Sequence, residues 1–158
     1  MIKVLVMDVD GTLTDGKLYY GSEGEVFKIF NIKDGYGIND LCKKHKIITA
    51  IITGRKSIIV EKRAKELSVD YVFQGIKNKN DVLNQLCKDL EVDLSNFAYI
   101  GDDLNDESCI DLINDNNGIT GCPFDALESI KAKVKYCCVN SGGNGAVREF
   151  IDYFLKKN

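Results

Sequence analysis

The sequence predicts an α/β fold built on a doubly wound parallel sheet, and three observations carry that expectation. Residues Ile2 to Val9 form a continuous apolar run that ends in acids, the pattern of a strand buried on both faces. Further strand-like runs alternate with helical stretches of about ten residues, which implies βαβ units with helices on both faces of the sheet. With 158 residues, the chain is expected to form a single domain spanning 1–158.

Taken in order, the elements follow from local patterns. Residues 17–30 alternate around Gly21-Ser22-Glu23-Gly24, the signature of a β-hairpin. A helix is expected over 36–45 and a buried strand over Ile47–Thr53. Ser57 is placed to cap a helix running to Leu67, whose apolar stripe is Val60, Ala64 and Leu67. Tyr71–Phe73 reads as a short strand, and 79–91 as an amphipathic helix carrying Val82, Leu83, Leu86 and Leu90. Strands at Phe97–Ile100, Gly118–Thr120 and Val134–Val139 alternate with helices at 105–113, 125–131 and 145–156. The glycine run Gly142 to Gly145 leaves the order of residues 142–148 open.

Composition narrows the function classes. Apolar residues make up 44% and charged residues 28%, as in ordinary globular proteins. The 24 acidic residues exceed the 21 basic ones, so the basic excess of a nucleic-acid binder is missing. Apolar runs such as Val4–Met7 and Ile47–Ile52 fall far short of the roughly 20 residues that span a bilayer, so no membrane partner is expected. No signal peptide is read at the N-terminus, where one lysine precedes the first strand. Six cysteines (42, 87, 109, 122, 137 and 138) form no Cys-x-x-Cys pair, and His45 is the single histidine, which argues against structural zinc. Free thiols in a reducing cytoplasm are therefore expected, with Cys137 and Cys138 pointing to opposite faces of a strand.

In a doubly wound sheet, ligands bind beyond the carboxyl ends of the strands. There the sequence places Asp8-Val9-Asp10, Thr53-Gly54-Arg55 and Gly101-Asp102-Asp103, with Lys79 opening the next helix. Crowded carboxylates repel unless a cation neutralises them, and an all-oxygen set without His or Cys selects Mg²⁺. Lys79, Arg55 and the Thr53 hydroxyl can hold phosphate oxygens, and the backbone of Asp10-Gly11-Thr12 can form an anion nest. Metal, donors and a carboxylate nucleophile together make a phosphoryl-transfer site that works through an aspartyl-phosphate.

These residues carry a resemblance. Asp8-Val9-Asp10-Gly11-Thr12-Leu13-Thr14-Asp15-Gly16 resembles the first motif of the haloacid dehalogenase (HAD) superfamily of phosphohydrolases. Thr53, Lys79 and Gly101-Asp102-Asp103-Leu104-Asn105-Asp106 are similar to its other three motifs. The resemblance implies that Asp8 is the nucleophile and Asp10 the general acid and base. It further implies that Asp8, the Asp10 carbonyl and Asp102 hold Mg²⁺, that Thr53 and Lys79 bind the phosphoryl group, and that Asp103 and Asp106 support them. Thr53 follows Asp8 by 45 residues and Lys79 follows Thr53 by 26, intervals too short for a cap domain. The site is therefore open, or closed by something else, with the hairpin at 17–30 and a neighbouring subunit as the candidates.

Within the superfamily, the chain resembles the capless 3-deoxy-D-manno-octulosonate 8-phosphate (KDO 8-phosphate) phosphatases in Phe30 to Ile38, Ile51 to Lys56 and Gly142 to Glu149. That resemblance implies a substrate-contacting loop at Asn31, Ile32, Lys33, Asp34 and Gly35, with Arg55 and Arg63 facing the sugar-acid carboxylate and Asp10 and Lys79 also contacting the substrate. Asn39 departs from the pattern, standing where many members carry arginine. Two sister lineages are the alternatives: phosphatases of nine-carbon keto-sugar acids, which tend to carry Glu at the place of Arg55, and the silent C-terminal modules of cytidylyl-sialate synthetases. A receiver domain is disfavoured because no acid follows Tyr71–Gly75, and a dinucleotide fingerprint because no strand and acid follow Gly142–Gly145. The apolar hairpin, with Leu18, Tyr19, Tyr20, Val26, Phe27 and Ile29, points to burial between subunits that serve as the cap, with Arg148 able to reach an adjacent site, and the resemblance to the capless branch implies a homotetramer.

Overall fold

A computed structural model describes residues 1–157. Strands run over Val4–Met7 (β1), Tyr19–Gly21 (β2), Gly24–Phe27 (β3), Ile48–Thr53 (β4), Tyr71–Gln74 (β5), Phe97–Ile100 (β6), Ile119–Cys122 (β7) and Tyr136–Cys137 (β8). Helices run over Ile32–Tyr36 (α1), Cys42–Lys44 (α2), Ile58–Glu66 (α3), Lys79–Leu90 (α4), Leu104–Asp115 (α5), Glu128–Lys131 (α6) and Ala146–Leu155 (α7). A π-turn at Gly37–Leu41 joins α1 to α2.

Six strands form one parallel sheet in the order β5-β4-β1-β6-β7-β8, while β2 and β3 pair as a separate antiparallel hairpin. The doubly wound parallel expectation therefore holds. Successive side chains of a strand alternate between faces, and the two cores show it. Leu5, Met7, Ile51 and Ile100 pack with Val60 and Ala64 of α3 and with Val147, Phe150 and Ile151 of α7. Val4, Val6, Ile52 and Tyr99 pack on the other face with Leu83 and Leu86 of α4 and with Ile110 and Ile113 of α5. Met7 is in register with both Ile51 and Ile100, so the chain leaves β1 between the ends of β4 and β6.

Several expected elements differ. The helix expected to begin at 36 starts at Ile32, because the Asn31 side chain caps it by accepting from the Lys33 N–H at 2.8 Å. Residues 31–35 are thus the cap and first turn of a helix rather than a loop. Ser57 stands at the N-cap of α3, but its hydroxyl donates to Glu25 of the hairpin instead of capping. The last strand shrinks from 134–139 to Tyr136–Cys137, with Cys137 exposed and Cys138 buried as the alternation required. The helix expected at 125–131 is shortened at its start, where the Leu127 N–H bonds the Asp102 carbonyl at 3.0 Å.

The segment 142–148 is ordered. Gly143 donates to the Thr12 carbonyl at 3.1 Å, and Gly142 lies so close that a Cβ there would come within 1.9 Å of the Gly11 oxygen. The glycines permit this backbone-on-backbone packing rather than loosening the chain.

Phe150 is fully buried, meets Phe154 edge-on at 5.5 Å, and fills the space a side chain at Gly121 would need. Phe150→Ala should cost about 3–5 kcal/mol in urea unfolding, whereas Val139→Ala, at a side chain 80% exposed, should stay within about 0.5 kcal/mol.

Candidate active site

Three neighbouring strand ends deliver the inner site. Asp8 follows β1, Thr53 ends β4, and Asp102 follows β6, while Lys79 is the first residue of α4. After Asp8 the chain turns through Gly11 at φ +94°, where a Cβ would collide with the Asp102 carboxylate at 2.1 Å. Only glycine lets the two acidic loops approach this closely.

Asp8, Lys79 and Asp106 form a buried ionic triad. The Lys79 ammonium donates to Asp8 at 2.7 Å and to Asp106 at 2.6 Å, and all three side chains are at most 4% exposed. Burial works against the charge on Lys79, but Asp8 and Asp106 together override it and raise its pKa. Burial and the neighbouring Asp106 push Asp8 well above the usual carboxylate range. Burial, again aided by Asp106, pushes Asp102 up to about 7.

Asp106 is fully engaged. One oxygen accepts from Lys79 and from the Tyr99 hydroxyl at 2.6 Å; the other accepts from the backbone N–H groups of Asp102 and Asp103 at 3.0 and 3.4 Å. Asp103 is the N-cap of α5 and completes a capping box with Asp106. Asp102 accepts from the Thr12 hydroxyl at 3.0 Å. One carboxylate oxygen from each of Asp8, Asp102 and Asp106 lies within 4.8 Å of the others, a spacing that suits a cation. Since Asp106 already has four donors, Asp8 and Asp102 are the members with capacity for a metal. The all-oxygen set and the raised acids fit Mg²⁺.

Asp8, Asp10, Thr53, Gly54, Arg55, Asp103 and Asn105 line one open cleft. Asp10 is held by Lys28, a buried ammonium that also pairs with Glu25 at 2.9 Å. Arg55, at the rim, donates to the Tyr20 hydroxyl at 3.0 Å and lies 3.6 Å from Glu25. The hairpin is therefore docked onto the site by its own charged residues.

Other expected site residues lie elsewhere in the protomer. Arg63 sits over the Phe30 ring at 5.7 Å, pairs with Glu66 at 2.9 Å, and lines a small apolar cavity with Asn31, Asp34 and Gly35. Asp34 is buried and accepts from the N–H groups of Gly145 and Arg148, fixing the start of α7. Ile32 is 84% exposed, and Lys33 also faces solvent. None of these lines the cleft that holds Asp8.

Sequence reasoning missed Lys28, Glu25 and Tyr99. For Lys28 there was a signal: one lysine among Val26, Phe27, Ile29 and Phe30 needs a buried acidic partner. Tyr99 had none, since a tyrosine in an apolar strand reads as core.

The sheet order, the paired acids after β1, and the Thr, Lys and Asp on the following elements define a phosphohydrolase of the HAD superfamily. No protein-family model matches the chain. It is 39% identical over 154 residues to the KDO 8-phosphate phosphatase of Escherichia coli K12, covering 98% of this chain and 79% of that protein. Among solved structures, the Moraxella catarrhalis enzyme, in complex with magnesium, phosphate and KDO, matches at 43% identity and TM-score 0.90, over 98% and 86% of the two chains. The cobalt-bound enzyme of Haemophilus influenzae matches at 35% identity and TM-score 0.90, over 98% and 88%. The chain belongs to the KDO 8-phosphate phosphatase family.

The raised acids make stability depend on pH. A carboxyl group whose folded pKa exceeds its ordinary 3.8 binds protons more tightly when folded, so its contribution falls as pH rises between those values. For Asp102 that window runs from about 4 to about 7, and Asp8 and Asp34 act in the same direction. Glu25 and Glu149, held below their ordinary 4.5, act in the opposite direction, but only near and below that value. In EDTA, urea unfolding should show lower stability at pH 8 than at pH 5; Mg²⁺ should reduce the loss, and Asp102→Asn should make it smaller, leaving the share of Asp8 and Asp34.

Proposed function

We propose that this chain is a Mg²⁺-dependent phosphomonoesterase that hydrolyses KDO 8-phosphate to KDO and phosphate. The observation that carries the proposal is the buried Asp8, held by Lys79 at 2.7 Å beside Asp102, at the base of a cleft shared with Asp10 and Thr53. Family relatives named for this substrate support the eight-carbon choice over a nine-carbon keto-acid phosphate or a silent module.

In the first step, an Asp8 carboxylate oxygen attacks phosphorus and the P–O8 bond breaks. Asp10 gives its proton to the departing O8, leaving KDO and an aspartyl-phosphate. In the second step, water attacks phosphorus, passes a proton to Asp10, and the Asp8–phosphorus bond breaks to free phosphate. Lys79 and Thr53 hold the phosphoryl oxygens, and Asp106 keeps Lys79 in place. Asp8, Asp102 and the Asp10 carbonyl hold the Mg²⁺, which when bound offsets the phosphoryl charge. Asp103 supports the set by capping α5.

Arg55 at the cleft rim fits a sugar-acid carboxylate. Residues 31–35 and Arg63 lie outside their own cleft, so their substrate role requires a neighbouring subunit. A homotetramer supplies one: Leu18, Tyr20, Val26, Phe27 and Ile29 of the hairpin are each about half exposed or more. Arg148, stacked on Tyr36, is a further residue such an arrangement can bring to an adjacent site. A reducing, cytoplasmic setting fits the six cysteines, all free among the described residues, and no helix there is long and apolar enough to cross a membrane.

Steady-state assays on KDO 8-phosphate and a nine-carbon analogue should give a higher kcat/KM for the former. EDTA should abolish turnover, Mg²⁺ should restore it, and Asp8→Asn should leave none in a folded protein; a preference for the nine-carbon compound would reassign the substrate. Sedimentation equilibrium at micromolar concentration should show a tetramer, and a fully active 17.6 kDa monomer would remove the shared cap.

A further inference from the structure

We infer that Lys28, backed by Glu25, is the positioning residue for the proton-carrying Asp10, so that the hairpin takes part in the chemistry as well as covering it. The inference rests on the proposed reaction and assigns Lys28 a part in it. The Lys28 side chain is 2% exposed, and its ammonium lies between two carboxylates, Asp10 Oδ1 and Glu25 Oε1, the latter at 2.9 Å. Glu25 is itself anchored, since its second oxygen accepts from the Ser57 hydroxyl at the start of α3. Glu25 lies on the same hairpin, so pairing with it alone would leave Lys28 without a contact to the site. Lys28 instead reaches across to the acid that stands two residues beyond the nucleophile.

The consequence for Asp10 is an inequivalence of its two oxygens. Oδ1 is committed to Lys28, while Oδ2 has no hydrogen-bond partner among the described residues, and Asp10 lines the cleft with Asp8, Thr53 and Arg55. A general acid must present one defined oxygen within hydrogen-bond reach of the leaving group, and fixing Oδ1 leaves Oδ2 as that oxygen. Lys28 neither gains nor loses a proton in either step; it sets the rotamer through which Asp10 does. Glu25, anchored by Ser57, holds the ammonium against Asp10.

Leaving-group dependence separates this role from a merely structural one. O8 of KDO departs as an alkoxide and needs a proton, whereas p-nitrophenolate departs without one. In rapid-quench assays, Lys28→Met should slow phosphoenzyme formation from KDO 8-phosphate about 100-fold, the scale of lost general acid catalysis, with KM within about threefold. The burst of p-nitrophenol from p-nitrophenyl phosphate should change by no more than about threefold, because that step asks little of Asp10. Lys28→Arg should recover most of the loss, and Glu25→Gln, which keeps the contact to Ser57, should show the same selectivity more weakly. Equal losses on both substrates, or no loss on KDO 8-phosphate, would overturn the assignment. If Lys28→Met does not fold, the Glu25→Gln selectivity decides it alone. Should the wild type ignore KDO 8-phosphate, the substrate reading fails, and the Lys28 comparison is read instead on any primary alkyl phosphate it hydrolyses.

Discussion

The buried Lys79 ammonium is the interaction on which the site depends. It opens α4, where the helix dipole disfavours a cation, and it is removed from water. Both costs are borne because Asp8 from β1 and Asp106 from α5 converge on it, so one ion ties together the sheet and two helices of the same face. Removing any one of the three leaves buried charge unpaired, which typically costs more than the pair contributes. The arrangement still carries an excess: Asp8 and Asp106 share the one ammonium of Lys79, and the contact of Asp102 is the Thr12 hydroxyl rather than a cation. The two remaining negative charges correspond to one divalent cation, and the upward push on Asp8 and Asp102 is how that imbalance registers without it.

Close backbone approach is the second constraint, and glycine is what permits it. Gly11 brings the Asp8 loop against Asp102, and Gly142 then lays the C-terminal segment on the oxygen of Gly11. Gly143 donates to the Thr12 carbonyl, Gly142 donates to Asp125, and Asp34 receives Gly145 and Arg148, so the start of α7 is tied to the loop after β1, to the segment before α6 and to α1. This explains why a glycine run far from the acids in sequence belongs to the same structure as the acids. It acts as a clamp on the loop geometry.

Most of the fold and the inner site were legible in the sequence because they rest on strong local signals. Continuous apolar strands such as Val4–Met7 and Phe97–Ile100 leave one reading of the sheet, and acids at successive strand ends must share one rim. Boundaries were less legible where a side chain had two possible partners. Ser57 has the residue type of a cap, yet its hydroxyl serves Glu25, which lies 32 positions earlier and could not be placed from local pattern. Asn31 hid the start of α1 because the glycines at 35 and 37 weaken the helical signal that its cap restores. Asp34 carried the composition of a ligand contact but is spent on backbone N–H groups over 110 residues away, a tertiary fact invisible to spacing.

The hairpin joins these threads. A two-stranded ribbon is marginal by itself, and this one exposes Leu18, Tyr20, Val26 and Phe27 on its outer side. Its inner side is held by polar contacts: Lys28 to Asp10, Glu25 to Lys28 and Ser57, and Tyr20 to Arg55. Such contacts fix direction well but contribute little net stability when partly solvated, so the ribbon's residence over the cleft depends on what covers its apolar face. A partner surface there would stabilise the docked hairpin by mass action and, through Lys28, the orientation of Asp10 as well. Assembly and proton transfer would then be linked through a single ammonium. Such a link would make the chemistry conditional on closure without a cap inserted between the described motifs.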